Sequence, residues 1–327
     1  MYNRYQFTEQ ILSQTPSATT QAAVNIQTKN YVLIKKYAIT VENPHNFIAS
    51  TQLLKRLNHQ NLIQYENFYE DASHTYIVSE LSSQDNLLEK ILSMKYYSED
   101  DCRGFITQII EGLAYLHSNN IANLNLKPEN LLTINNQVKL CDYALYELFP
   151  LENLLYAPGF VSKDQLINRI TDFQPDIFAV GVISTLLLTG NLPFKEEENY
   201  IQSYLDQTLN NSFEINAKTM STRAVDFVTS CFSGQSTVFD LLNDPWLTNE
   251  APVIPLQTTQ IQLKRYVAKL KLRDGSGVNA SKLVQLARKI GEIEDDIEVE
   301  GEEIDAELDE VDENQTAVTQ MLEDEVN

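Results

Sequence analysis

IANLNLKPENLLTINNQVKLCDYA, residues 121–144, is the stretch around which the rest of the chain can be laid out. Val138–Lys139–Leu140–Cys141 is short, bounded and suited to a buried strand, and Asp142 follows it at once. Upstream, Lys127 and Asn130 stand in a polar loop where Pro128 blocks continuation of a helix. A loop offering a point charge and an amide oxygen, beside a strand that ends in a carboxylate, can hold phosphate oxygens and Mg²⁺.

YLHSNNIANLNLKPENLL (115–132) followed by VKLCDYA (138–144) resembles the catalytic loop and magnesium-binding segment of protein kinases, where the pattern reads H-R-D-L-K-P-E-N and then D-F-G. The resemblance retains Lys127 in the catalytic loop and makes Asn130 and Asp142 the magnesium ligands of any bound nucleotide. The departures carry as much information. H-R-D reads Asn123–Leu124–Asn125, and D-F-G reads Asp142–Tyr143–Ala144. The family's catalytic base therefore falls on Asn125, an amide that does not accept and hold a proton near neutral pH. No intact catalytic set is expected.

Toward the N-terminus, YVLIKKYAI (31–39) reads as a strand and PHNFIASTQLLKRLNH (44–59) as a helix. Val32–Leu33–Ile34–Lys35 resembles the kinase V-A-I-K strand, whose lysine contacts the α- and β-phosphates. Leu33 replaces the family's alanine over the adenine and adds bulk there. Ungapped counting from Lys35 puts the glycine-rich loop on residues 12–20, with its glycine positions at Ser13, Thr15 and Ala18; no glycine precedes Gly104. A Cβ at each position obstructs both close backbone approach to phosphate and positive φ, and Pro16 removes an N–H donor. The same stretch also reads as a plain β-turn loop. The helix glutamate that pairs with the strand lysine in the family maps onto Ser50, and no acidic residue lies between Pro44 and Tyr65. Three fates stay open for Lys35: a nucleotide, Asp142, or solvent. TYIVSEL (75–81) resembles the strand and hinge between the lobes, placing Ser79, Glu80 and Leu81 at the nucleotide pocket with Ser79 guarding its back.

Toward the C-terminus, Ser98 and Asp101 form a candidate capping box, and Phe105, Ile109, Leu113 and Leu116 an apolar stripe. The segment from Asp142 to Pro158 contains no Ser or Thr, so the usual phosphorylation switch is missing; Tyr143, Tyr146 and Tyr156 are modifiable in principle and are read first as packing residues. The family's A-P-E appears as Ala157–Pro158–Gly159, and the arginine that pairs with its glutamate maps onto Gln235, so both halves of that ion pair are absent. Asp176 opens DIFAVGVISTLLLTGNLPF, which resembles the central helix of the large lobe; its aspartate anchors the catalytic-loop backbone in the family. NDPWL (243–247) resembles the closing H-P-W-L, so the likeness covers roughly residues 7–248.

After Pro255 the composition changes. TTQIQLKRYVAKLKLR (258–273) carries Lys264, Arg265, Lys269, Lys271 and Arg273 among apolar residues, a pattern suited either to a calmodulin-type or acidic partner or to packing on the domain with solvated lysines. Its position resembles the regulatory tail of calcium/calmodulin-dependent kinases. SKLVQLARKI (281–290) reads as a second short helix capped by Gly291. From Glu292 onward there are 17 acidic residues and no Lys or Arg, which leaves 29 acids against 24 bases in residues 1–291. Ile297, Ile304, Leu308, Val311, Val318 and Leu322 sit near a 3.5-residue spacing, so this acidic tail reads as disordered alone or helical once paired with the basic segment or a partner. Its EF-hand-like stretch, 296–307, has the wrong residues for calcium.

Bulk features set outer limits. The net charge of −22 disfavours nucleic acid. MYNRYQFTEQ has no signal-peptide pattern, the apolar run 178–188 is too short for a bilayer, and Cys102, Cys141 and Cys231 suggest neither disulfides nor zinc. The expectation is an α+β, bilobal protein-kinase-like fold. It comprises a small β-rich N-lobe with one main helix (1–80), a larger helical C-lobe (81–248), a basic helical segment (249–291) and an acidic tail (292–327). The function it implies is that of a pseudokinase, a cytoplasmic scaffold or allosteric partner with no membrane contact. No cofactor is required, and ATP with magnesium is expected to bind weakly if at all. The candidate partners are proteins, another kinase or calmodulin. The alternatives are an atypical Ser/Thr protein kinase and a calmodulin-responsive adaptor working through residues 261–273.

Overall fold

A computed structural model of the chain describes residues 4–14, 18–38, 44–80, 86–134, 136–149, 157–167, 170, 172–195, 200–249 and 254–274. Thr15, Leu81, Tyr156, the 281–290 segment and the acidic tail lie outside the described residues, as do the side chains of Ser13, Lys271 and Arg273.

The small lobe contains β1 (Tyr5–Gln14), β2 (Ala18–Asn25), β3 (Tyr31–Tyr37), α1 (Pro44–Arg56), β4 (Tyr65–Glu70) and β5 (Thr75–Glu80). The strands form one antiparallel sheet in the order β1-β2-β3-β5-β4. Alternation along β3 decides what reaches the site. Val32 and Ile34 join Tyr5, Ala23, Tyr76 and Val78 in a small core on one face. Leu33, Lys35 and Tyr37 therefore share the opposite face, and Tyr37 joins the main core there with its ring 5.1 Å from that of Phe149.

The large lobe contains α2 (Leu87–Ser93), α3 (Glu99–Ser118), the hairpin β6 (Leu131–Ile134) and β7 (Gln137–Leu140), then α4 (Lys163–Leu166), α5 (Gln174–Thr189), α6 (Tyr200–Leu209), α7 (Thr222–Phe232), α8 (Val238–Leu242), α9 (Pro245–Thr248) and α10 (Gln257–Asp274). The Ser98–Asp101 capping box is present at the start of α3. Helix α5 is apolar on every side and accordingly runs through the centre of the lobe. Glu99 is fully buried in the first turn of α3 and accepts hydrogen bonds from Ser221 N (2.9 Å), Ser221 Oγ (2.5 Å) and Trp246 Nε1 (3.0 Å), which ties α3 to α7 and α9. Three charge-assisted bonds satisfy a carboxylate that would otherwise be costly to bury.

The lobes meet along the connection from α1 to β4. Ile63 N donates to Leu140 O (2.9 Å), Leu140 N to Asn61 O (2.8 Å) and Asn61 Nδ2 to Val138 O (2.9 Å), so this small-lobe segment is bonded to β7.

Helix α10 packs on α5 and α2. Leu263 is fully buried, Thr259 Oγ1 donates to Leu188 O (2.9 Å), and Gln260 Nε2 donates to Ile91 O (3.0 Å) and Met94 O (3.1 Å). Gly190, the C-cap of α5, permits this approach: its φ is +80°, and a Cβ there would lie 2.4 Å from Gln262 Cβ. Lys264, Arg265 and Lys269 are exposed. The three cysteines are free, and among the described residues no helix is long and apolar enough to cross a membrane.

Candidate functional site

Four backbone segments converge between the lobes: β3, the 121–130 loop, the turn after β7, and the start of α5. Asp176 organises them. Its Oδ2 accepts from Asn123 N (2.7 Å), its Oδ1 from Leu124 N (2.8 Å), and His117 Nε2 lies 2.8 Å from Oδ2 with its ring stacked on Phe173 at 4.2 Å. Gln165 Nε2, from α4, holds the same loop through Leu124 O (3.1 Å). These bonds sustain a backbone that sequence alone would not choose. Leu124, Asp142 and Ala144 all have left-handed φ, at 55°, 53° and 55°. Such conformations persist in non-glycine residues only where surrounding contacts over-determine them. Ala144 occupies the glycine place of the D-F-G pattern and keeps the glycine conformation, with its N–H donating to Asn123 O (3.2 Å).

Lys35 and Asp142 form an ion pair across the cleft, one of the three fates left open for Lys35. The ammonium also lies 5.3 Å from the centre of the Tyr37 ring. Burial pulls the Lys35 pKa down, but the Asp142 carboxylate outweighs it, and the net value is raised. Ser50 is buried on α1 and supplies no carboxylate to the lysine. Lys127 is held below the usual lysine range by burial, with Lys35 adding to the effect.

Asn125 sits at the centre of the constellation. Its N–H donates to Asn123 Oδ1 (2.9 Å), its Nδ2 donates to Asp142 O (3.1 Å), and its carbonyl accepts from Asn130 Nδ2 (2.8 Å). The side-chain amide thus serves as a backbone tie for the Asp142 turn. Asn123 is buried, and its Nδ2 has no hydrogen-bond partner among the described residues. Asn130 is buried at the end of the 3-10 turn Pro128–Asn130, and its carbonyl accepts from Cys141 N (2.9 Å), which sets the loop against β7.

Tyr143 locks the turn to the small lobe. Its OH donates to Ile63 O (2.8 Å), its ring lies 4.7 Å from that of Tyr65, and Tyr65 OH donates to Tyr143 O (3.3 Å). Burial pushes the Tyr143 phenol well above its ordinary value, and the Cys141 thiol likewise. Tyr146 is half-buried and accepts from Ala122 N (3.2 Å).

The remaining candidates are dispersed. Ser79 pairs with Leu33 across β3 and β5, and Leu33 is buried. Glu80 is committed elsewhere: its Oε1 accepts from Lys139 Nζ (2.6 Å) and Gln64 N (3.0 Å). Ala18 is buried and pairs with Tyr37, and Ser13 pairs with Thr20. Gly159 is buried with Leu192 Cδ1 3.0 Å from the place of its Cβ, whereas Gln235 is exposed. The donor set fits magnesium in part: Asp142 and Asn130 are oxygen ligands of the right kind, but the Asp142 carboxylate is engaged by Lys35. Among the described residues no cluster of His, Cys, Asp and Glu could hold a metal by itself. Sequence reasoning assigned no role to His117, Gln165, Tyr65 or Lys139; each acts through a contact more than forty residues away in the chain.

Residues 8–247 match the protein kinase domain family model. The chain is 30% identical over 259 residues to the mouse calcium/calmodulin-dependent protein kinase type IV, covering 73% of this chain and 55% of that protein. It is 29% identical over 264 residues to the lily calcium and calcium/calmodulin-dependent serine/threonine-protein kinase, covering 76% and 51%. The match to the Caenorhabditis elegans calcium/calmodulin-dependent protein kinase type 1 is 28% over 234 residues, covering 67% of each. The chain thus spans about half the length of the mouse and lily relatives.

Proposed function

We propose, from the premise that this chain belongs to the protein kinase family, that it is a catalytically impaired member acting as a scaffold or allosteric partner. The observation that carries the reading is Asn125, whose side chain donates to Asp142 O from the place where the family keeps its base. An amide cannot take the proton of an attacking hydroxyl, and such a base contributes on the order of 10²–10⁴-fold. The Lys35–Asp142 pair supports the same reading, because a triphosphate must compete with that carboxylate for the ammonium. ATP with magnesium is assigned weak binding at most. Asn130 and Asp142 would hold the ion, which would neutralise phosphate charge, and Lys35 would be the residue to release Asp142.

The test is phosphate transfer by the purified full chain to protein and peptide acceptors. Labelling no greater than that of the Asp142→Asn variant is the expected result. Robust, stoichiometric labelling that Asp142→Asn abolishes would overturn the proposal in favour of an atypical Ser/Thr kinase.

A second reading rests on α10, whose Lys264, Arg265 and Lys269 are exposed, and on relatives named for calcium and calmodulin. It makes the outward face of α10 a calmodulin-responsive site. Calcium-dependent binding of calmodulin to the full chain, weakened by Lys264→Glu with Arg265→Glu, is the outcome it requires.

A further inference from the structure

Among the described residues, helix α10 is anchored on one side. Residues turn about 100° per step, so Thr259 and Leu263 share the buried side. Ile261, Lys264, Arg265 and Ala268 occupy the opposite one, and all four are exposed. Ile261 is 58% exposed. The Gly190 contact leaves little freedom to rotate this face inward. Lys264 and Arg265 form no ion pair with a carboxylate among the described residues; Arg265 reaches only its neighbour Gln262, at 3.4 Å. The result is a basic stripe with an apolar centre, standing on a fixed helix.

The same chain carries the complement. Residues 292–313 alternate acids with Ile297, Ile304, Leu308 and Val311 at spacings that put these apolar residues on one helical face. Residues 275–291 join the two segments. Extended, that connection reaches roughly 60 Å, against about 27 Å for the length of α10, so the acidic stretch can return along the whole stripe. We propose that the acidic segment 292–313 docks in cis on the outward face of α10. Its apolar residues cover Ile261 and Ala268, and its carboxylates face Lys264 and Arg265. Any acidic partner of α10 must then displace the chain's own tail, which makes access to the helix dependent on ionic strength.

The experiment uses the full chain carrying Ala268→Cys, with Gln52→Cys on the exposed side of α1 as control. Maleimide alkylation is followed peptide by peptide, which separates the signal of half-buried Cys141; Cys102 and Cys231 are buried. At low salt, Cys at position 268 should react about tenfold more slowly than the control, as expected when the covered form holds roughly 90% of the population. High salt should remove the protection, since the screening length falls to about 3 Å at 1 M. So should neutralising Glu298, Glu302, Glu303, Asp305 and Glu307 to their amides, or reversing Lys264 and Arg265 to Glu. Equal reactivity at low salt with the tail intact would overturn the proposal, as would protection that survives neutralisation. Protection that grows with protein concentration would also overturn it, by assigning the cover to a second copy.

Discussion

Lys35 and Asp142 hold each other from positions 107 residues apart, and pH can read what the pair contributes. The folded-state pKa of Lys35 is raised above the ordinary 10.5. Its contribution to stability is therefore fully present below that ordinary value and is lost as pH rises through the higher folded one. Urea unfolding across neutral and alkaline pH should show this alkaline loss in the native chain. Lys35→Met should lack that component and cost about 1–3 kcal/mol near neutrality, because Asp142 then loses its ion-pair partner. Asn125→Asp is the complementary change. It removes the donor to Asp142 O and sets a carboxylate against a carbonyl, so denaturant curves should show a loss of about 1–2 kcal/mol. Phosphate transfer by that variant should stay at background; a gain on the order of 10²-fold would mean that the base alone was missing. At this scale the chain was only partly legible. Asp176 could be placed because the stretch it opens resembles the family's central helix, and the Asn125 substitution could be seen in its motif. The partner of Lys35 could not be chosen, since nothing local to residues 31–39 encodes the approach of a turn more than a hundred residues away. The Lys139–Glu80 bond was hidden for the same reason.

Elements were easier to read than contacts. Helix α5 announces itself by apolar residues on every side, and α3 by its Ser98–Asp101 cap followed by a one-sided stripe. For α10 the periodicity predicts a helix but not which face packs, because Ile261 and Leu263 are equally apolar in sequence; one is exposed and the other fully buried. The deciding residue lies elsewhere, at Gly190, where a left-handed backbone and a missing side chain admit the first turns of α10. Gly190→Ala should therefore raise the strain of that cap and push α10 outward. The expected signature is faster hydrogen exchange in residues 257–267, with exchange around Asp176 unchanged. Leu263→Ala should loosen the same helix through a cavity, at a cost of about 2–5 kcal/mol. Both variants leave the cleft between the lobes untouched, so any change they produce in partner binding belongs to α10.

The bilobal α+β architecture was legible because many short signals fall in the same order along one chain, each weak by itself. What the order could not convey is how the lobes are joined. A nucleotide that binds weakly should stabilise the whole molecule by only about 0.4 kcal/mol when its concentration equals its Kd. Thermal unfolding with ATP and magnesium is then expected to shift by about 1–2 °C, and less in Asp142→Asn. The join itself has a mechanical consequence. Asn61 and Ile63 belong to the small lobe by sequence, yet their backbones are bonded to β7, and Tyr143 clasps Ile63 from the other side. Any rocking of the five-stranded sheet must turn about this line as about a pivot pin. The sheet edge carrying β1 and β2 then sweeps the widest arc, while α1, next to the pin, moves least.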